Sequence, residues 1–90
     1  MSNVRIQVDF SAKRVAELTR LMEICELSTK KELLNNALSL FEWAVHEVRQ
    51  GRKIAAINEA TQQYKELEMH ALRAAASHRE AETSLKAAGL

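Results

Sequence analysis

The amino-acid sequence predicts a mainly α-helical domain that begins with one β-strand and needs a second copy of itself to complete its core. Its 90 residues include no proline and two glycines, and 47% of them are apolar, a composition that favours helices. Residues 4–10 instead predict a β-strand, because they alternate strictly between apolar and polar side chains. A chain of this length buries only about 60–65% of the surface that its unfolded form exposes. We therefore expect an obligate oligomer.

The N-terminal strand has one apolar and one polar face. The apolar face consists of Val4, Ile6, Val8 and Phe10, and the polar face of Arg5, Gln7 and Asp9. No second clear strand follows nearby in the sequence, and an unpaired strand would leave its backbone N–H and C=O groups without partners. We expect this strand to pair with its own copy in a second subunit.

The first helix is predicted to begin after Ser11, a favourable N-cap. Apolar residues then recur at intervals of three and four over about four turns: Val15, Leu18, Leu21, Met22 and Cys25. Cys25 is the only cysteine, so it cannot form a disulfide within one chain. Its position on this apolar face predicts a small buried hydrophobic residue.

The second helix is predicted to begin at Thr29, because Thr29 and Glu32 have the spacing of a capping box. Its apolar stripe continues in helical phase until Gly51 provides a stop, and comprises Leu33, Leu34, Ala37, Leu38, Phe41, Ala44, Val45 and Val48. Leu40 and Trp43 lie off this stripe. We expect them to be covered either by the C-terminal segment or by another protein, such as a second dimer or a toxin.

Residues 52–90 are predicted to extend a domain formed by residues 1–51. Ile54, Ile57, Thr61, Tyr64 and Leu67 keep helical spacing, which favours a helix, with a hairpin over residues 53–69 as the alternative. The apolar members of this set are the candidates to cover Leu40 and Trp43. Residues 71–90 are rich in alanine and have little to bury, so we expect the tail to fray.

The order of a strand, an N-capped helix, a turn containing serine and a longer helix resembles the ribbon-helix-helix family of Arc/MetJ/CopG-type DNA-binding repressors and antitoxins. The resemblance covers residues 3 to about 50. It implies an intertwined homodimer whose antiparallel β-ribbon enters the major groove of double-stranded DNA. It further implies base contacts by Arg5, Gln7 and Asp9. The implied dimer core consists of Val4, Ile6, Val8, Phe10, Leu34, Leu38 and Phe41.

The resemblance also implies phosphate contacts at the start of the second helix, where free amides and the helix dipole favour an anion. Ser28, Thr29, Lys30 and Lys31 occupy that place. Two features depart from the family pattern. Asp9 repels phosphate, although its carboxylate can accept a hydrogen bond from cytosine or hold Arg5 or Lys13 in position. Glu26 and Leu27 stand where the family usually has a glycine, which is unfavourable for a backbone with positive φ.

These observations favour a sequence-specific DNA-binding regulator, either a repressor or an antitoxin-like autoregulator, that forms homodimers and higher oligomers on DNA. The alternative is a dimeric protein-interaction module of the same fold that no longer reads DNA, which a net charge of +1 allows. We expect a cytoplasmic protein with no membrane segment, no cofactor and no enzymatic activity, because no catalytic constellation is evident. We also expect no metal site: the histidines are scattered, and only Glu66 and His70 have the spacing of helical ligands.

Overall fold

The computed structural model describes residues 3–78 and contains three helices and one β-hairpin in that range. The helices are α1 (Ala12–Ile24), α2 (Lys30–Arg49) and α3 (His70–Ala76), and the strands are β1 (Ala55–Asn58) and β2 (Gln63–Glu66). The chain divides into two compact units, of which the first ends at Asn36 and the second begins at Ala37. The predicted mainly helical character is confirmed.

Helix α1 is bounded by local signals at both ends. The Ser11 backbone is extended, and its hydroxyl accepts a hydrogen bond from the Arg14 amide at 3.1 Å, as expected of an N-cap. At the other end the Leu27 amide donates to the Met22 carbonyl at 2.8 Å, while Glu26 adopts a φ of 55°. This is the Schellman arrangement, in which glycine is the preferred residue at the position that Glu26 occupies. Glu26, which has a Cβ, is therefore held in the left-handed backbone conformation that glycine favours.

Helix α2 begins with a variant of the predicted capping box. The Glu32 amide donates to the Thr29 hydroxyl at 3.1 Å, which confirms Thr29 as the capping side chain. The Glu32 carboxylate accepts a hydrogen bond from the Ser28 amide at 3.4 Å, whereas the usual capping box would use the Thr29 amide. The negative charge therefore lies one residue further from the helix than expected.

The first unit has no fully buried side chain among residues 3–36. Its best covered side chains are only half-buried and are Leu18, Met22, Leu27 and Leu33. Cys25, predicted to be buried, is exposed, because no residue of the described part of the first unit covers this end of the apolar face of α1. Residues 3–10 form neither a helix nor a strand in the single chain, and their pairing with a second copy stays a prediction.

The C-terminal end of α2 confirms the predicted glycine stop. Gly51 has a φ of 87°, a value that glycine adopts without steric cost. The Arg52 amide donates to the Glu47 carbonyl at 3.0 Å and the Gly51 amide to the Val48 carbonyl at 3.1 Å. These bonds satisfy carbonyls that would otherwise lack partners at the end of the helix.

The predicted helix over residues 54–67 is wrong, and the hairpin alternative is correct. Strands β1 and β2 pair antiparallel, with Ile57 opposite Tyr64. The loop between them closes without glycine: the Asn58 side chain accepts a hydrogen bond from the Thr61 amide at 3.3 Å, and Gln62 takes a φ of 56°. Isoleucine and tyrosine fit a pleated strand well, and this preference overrides the helical spacing.

The buried core of the described residues lies in the second unit. It consists of Ala44, Val48 and Leu72, against which Val45, Ile54 and Ala75 pack. Leu72 corrects the expectation that residues after 70 bury little, since only 4% of it is exposed. Residues 71–76, part of the tail expected to fray, lie in helix α3, and residues 79–90 of that tail lie outside the described residues.

Candidate nucleic-acid interface

The N-terminal segment presents all of its predicted functional residues to solvent. Arg5, Gln7 and Asp9 are exposed. So are the apolar residues between and beside them, with exposures of 85%, 82%, 65% and 52% for Val4, Ile6, Val8 and Phe10. An apolar face this exposed is unfavourable in water. Full burial of one such side chain would stabilise the protein by about 1.5–3 kcal/mol relative to leaving it exposed. This exposure favours burial of the apolar face against a partner.

Helix α2 exposes the other residues assigned to a dimer core. Leu34 is 57% exposed, Leu38 46% and Phe41 39%. They recur at intervals of four and three residues, so they form one stripe along the helix. No described residue covers this stripe fully, and its apolar area is available to a partner.

The first turn of α2 has backbone amides that could bind an anion. The Ser28 and Glu32 amides are engaged by the cap. Among the described residues, no acceptor engages the amides of Lys30 and Lys31. Both lysine side chains are exposed, and the positive end of the helix dipole adds to their charge. The Glu32 carboxylate at the same end opposes an anion, which sequence reasoning overlooked although the capping-box pattern already implied a carboxylate there.

Some cations of the first unit form ion pairs with carboxylates, and others do not. On α1, Arg14 pairs with Glu17 at 3.3 Å and Arg20 with Glu23 at 3.5 Å. Residues 3–36 contain four further cations, which are Arg5, Lys13, Lys30 and Lys31. These four form no ion pair within the described part of the chain. Three of these four belong to the predicted DNA-contacting set. The carboxylates of Asp9, Glu26 and Glu32 also form no ion pair in this range, so the four free cations are largely offset by three anions.

Leu40 and Trp43 are not covered by residues 54–67. They are 65% and 52% exposed, whereas the C-terminal segment packs on Ala44 and Val48. Helical geometry places Leu40 and Trp43 roughly 120–180° around α2 from the stripe that contains Leu34. The expectation of cover by the C-terminal segment is therefore wrong, and contact with another protein stays a prediction.

A shallow cavity of about 350 Å³ lies in the second unit, with Val48, Ile54 and Leu72 in its wall. The three basic residues at its rim are each held by a carboxylate: Arg52 by Glu47 at 3.1 Å, Lys53 by Glu66 at 3.7 Å and Arg73 by Glu68 at 2.9 Å. No unpaired cation is left there to fix an anionic ligand.

Glu66 and His70 do not form the helical pair that their spacing suggested, because Glu66 ends β2 and His70 begins α3. Across residues 3–78, His, Cys, Asp and Glu side chains form no group of three or more that could hold a metal ion. In the same range, no helix has the length and apolar character needed to cross a membrane.

Comparison with known proteins does not supply a family. No protein-family model, no curated protein and no solved structure matches the chain.

Proposed function

We propose that this chain is one subunit of a homodimeric, sequence-specific DNA-binding regulator, a repressor or an antitoxin-like autoregulator. The observation that carries the proposal is the exposed alternating segment at residues 4–10. Pairing two copies of this segment antiparallel would place both apolar faces against the helices and both polar faces outward. The free energy gained by covering Val4, Ile6, Val8 and Phe10 would drive the dimer.

The outward face of such a ribbon has the chemistry to read base edges. Arg5 can donate two hydrogen bonds to guanine, and Gln7 can pair with adenine, each contributing about 1–3 kcal/mol of discrimination. Asp9 can accept from cytosine or orient a neighbouring cation. A two-stranded ribbon is of the size that enters the major groove.

The start of α2 would hold the DNA backbone. The unengaged amides of Lys30 and Lys31 and their two side chains favour a phosphate group. Ser28 and Thr29 would contribute through the same turn, and a dimer would present two such turns. Contacts of this kind position the protein and carry no sequence information.

A second candidate function is a dimeric protein-interaction module with the same fold. The carboxylates of Asp9 and Glu32 within the proposed DNA surface favour it, as do the exposed side chains of Leu40 and Trp43. The two functions differ in their response to salt. A dimer that neutralises about six phosphates loses roughly a thousandfold in affinity between 50 and 200 mM salt, whereas an apolar protein interface barely responds.

Selection of bound sequences from a random DNA duplex pool tests the proposal directly. With the full-length protein we expect enrichment of a motif with two-fold symmetry, because a symmetric dimer reads two equivalent half-sites. Binding to the enriched duplex should weaken steeply with salt. The absence of any enriched motif at 50 mM salt would overturn the proposal in favour of the interaction module.

A further inference from the structure

We propose that the free edge of β1 pairs antiparallel with β1 of a second copy, about a two-fold axis through Ala56, to form a four-stranded sheet. Among the described residues the sheet has two strands, so one edge of β1 has no neighbour. A two-stranded hairpin is marginally stable in water, and an unpaired edge is a template for another strand. This surface lies outside the proposed DNA-binding residues, and the proposal does not depend on them.

The hydrogen-bonding pattern shows which groups of β1 are available. The Leu67 amide donates to the Ile54 carbonyl at 2.8 Å, and the strand register places these two residues directly opposite each other. Hydrogen-bonded and non-bonded pairs alternate along antiparallel strands. Ala56 therefore directs its N–H and C=O toward β2, whereas Ala55 and Ile57 direct theirs away from it. An axis at Ala56 places Ala55 opposite Ile57 of the second copy, so these outward groups pair.

Charge complementarity selects this register. Lys53 lies two residues before β1 and Glu59 is the first residue of the loop after it. When the pairing about Ala56 is continued beyond the strand ends, Lys53 comes opposite Glu59 of the second copy, and Glu59 opposite its Lys53. Cross-strand pairs of opposite charge stabilise a sheet. Moving the axis to Ala55 or Ile57 would place Lys53 opposite Ile57 or Thr61 and lose both pairs. The two Ala56 side chains would meet at the axis, where the close approach of a non-bonded pair suits a methyl group.

The edge of β2 is less suited to self-pairing. An axis at Lys65 or at Glu66 would place like charges directly opposite each other, which destabilises a strand pair. An axis at Tyr64 would avoid this, but would place Lys65 opposite Gln63 and Glu66 opposite Gln62, with no attractive charge pair. Charged side chains are also a common protection of exposed edges. Strand β1 has no charged residue over Ala55–Asn58, so its edge lacks this protection.

The paired sheet would also cover an exposed apolar pair. Ile57 and Tyr64 face each other across the hairpin and are 69% and 60% exposed. Both lie on the same face of the sheet as Ala55, because side chains alternate along a strand. In the four-stranded sheet Ile57 would stand between Tyr64 of its own chain and Ala55 of the second copy. This gives the large apolar pair a neighbour on the side of β1 where the described residues provide no strand.

Disulfide cross-linking of the full-length chain tests the register, in a Cys25→Ser background that removes the exposed native thiol. Ala56→Cys should form a disulfide-linked dimer under mild oxidation, because the two sulfurs meet at the axis. Lys65→Cys is the matched control, because Lys65 is exposed and lies directly opposite Ala56 in the hairpin. In the four-stranded sheet the two copies of residue 65 would be three strand spacings apart, about 14 Å. We expect its cross-linking to be at least tenfold slower. Equal rates, or faster linking of Lys65→Cys, would overturn the proposal.

Charge exchange tests the same register independently, with the Ala56→Cys cross-linking rate as the readout. Lys53→Glu and Glu59→Lys should each slow the reaction, roughly tenfold, because each replaces two attractive pairs by repulsive ones. An equimolar mixture of the two variants should restore the rate, because opposite charges then face each other between unlike copies. The mixture also controls for loss of the Lys53–Glu66 ion pair within the chain. Failure of the mixture to recover would overturn the assigned register.

Discussion

The Glu32 carboxylate accepts a hydrogen bond from the Ser28 amide, at 3.4 Å, at the very end of α2 that is proposed to hold a DNA phosphate. One side chain thus stabilises the start of the helix and places a negative charge beside an anion site. The two effects oppose each other, because a carboxylate near the helix N-terminus is favourable for the helix and unfavourable for phosphate.

Replacing this carboxylate by a neutral amide should strengthen DNA binding. Glu32→Gln keeps a side chain able to accept the hydrogen bond from Ser28 and removes the charge. We expect a gain of about 0.3–1 kcal/mol per subunit in binding free energy at low salt. Fluorescence anisotropy with a labelled duplex measures it, and a thermal melt checks the fold. Weaker binding by a variant that melts normally would contradict the placement of phosphate at this helix end.

The apolar face of residues 4–10 should be essential for folding. Ile6→Lys should abolish the folded dimer, because it places a charge where two copies bury their strands. Gln7→Lys introduces the same residue one position along, on the polar face, and should fold. Circular dichroism compares the two variants, and the melting temperature of the wild type should fall on dilution. A melting temperature unchanged by a hundredfold dilution would contradict an obligate dimer.

The lysine at the start of α2 should contribute affinity without specificity. Lys30→Ala should weaken binding to all sequences alike and make the salt dependence shallower by about two units per dimer, one for each phosphate that is no longer neutralised. Lys65→Ala removes the same charge from β2 and should leave the slope unchanged. Titrations at several salt concentrations provide the comparison. A change in the preferred base pair on Lys30→Ala would mean that Lys30 reads bases.

The short helix α3 should stabilise the second unit through Leu72. Leu72 is 4% exposed and packs with Ala44 and Val48, so Leu72→Ala should cost about 2–5 kcal/mol of unfolding free energy. Leu67 is 47% exposed, and Leu67→Ala should cost less than about 1 kcal/mol. Urea denaturation measures both. Equal losses would show that α3 does not contribute to the core.

The helices of residues 11–51 could be predicted because their signals are local. Ser11, Thr29 and Gly51 each fix an end through a hydrogen bond or a φ value that involves neighbours in the sequence. Residues 4–10 differ, because a strand is defined by its partner. Their alternation predicts a strand, but residues 3–36 of the first unit contain no strand to which they could bond.

Two physical reasons explain why the sequence of the C-terminal segment predicts a helix where a hairpin forms. Ile54, Ile57 and Tyr64 fit both a helical spacing and a hairpin, and the loop of residues 59–62, Glu-Ala-Thr-Gln, lacks the glycine or Asn-Gly pair that usually marks a turn. Burial of Leu72 against α2 depends on a contact distant in sequence, which periodicity does not reveal. The same limit applies to Leu40 and Trp43, whose exposure follows from where the hairpin and α3 pack.

The base preferences of polar-face variants show directly whether the N-terminal segment reads DNA. Arg5→Ala and Gln7→Ala should fold normally and each weaken binding to the wild-type motif by about 1–3 kcal/mol. When selection from a random duplex pool is repeated with each variant, we expect loss of base preference at one symmetric pair of positions and an otherwise unchanged motif. The affected positions should differ between the two variants. The same motif and affinity for the wild type and both variants would contradict base reading by the N-terminal segment.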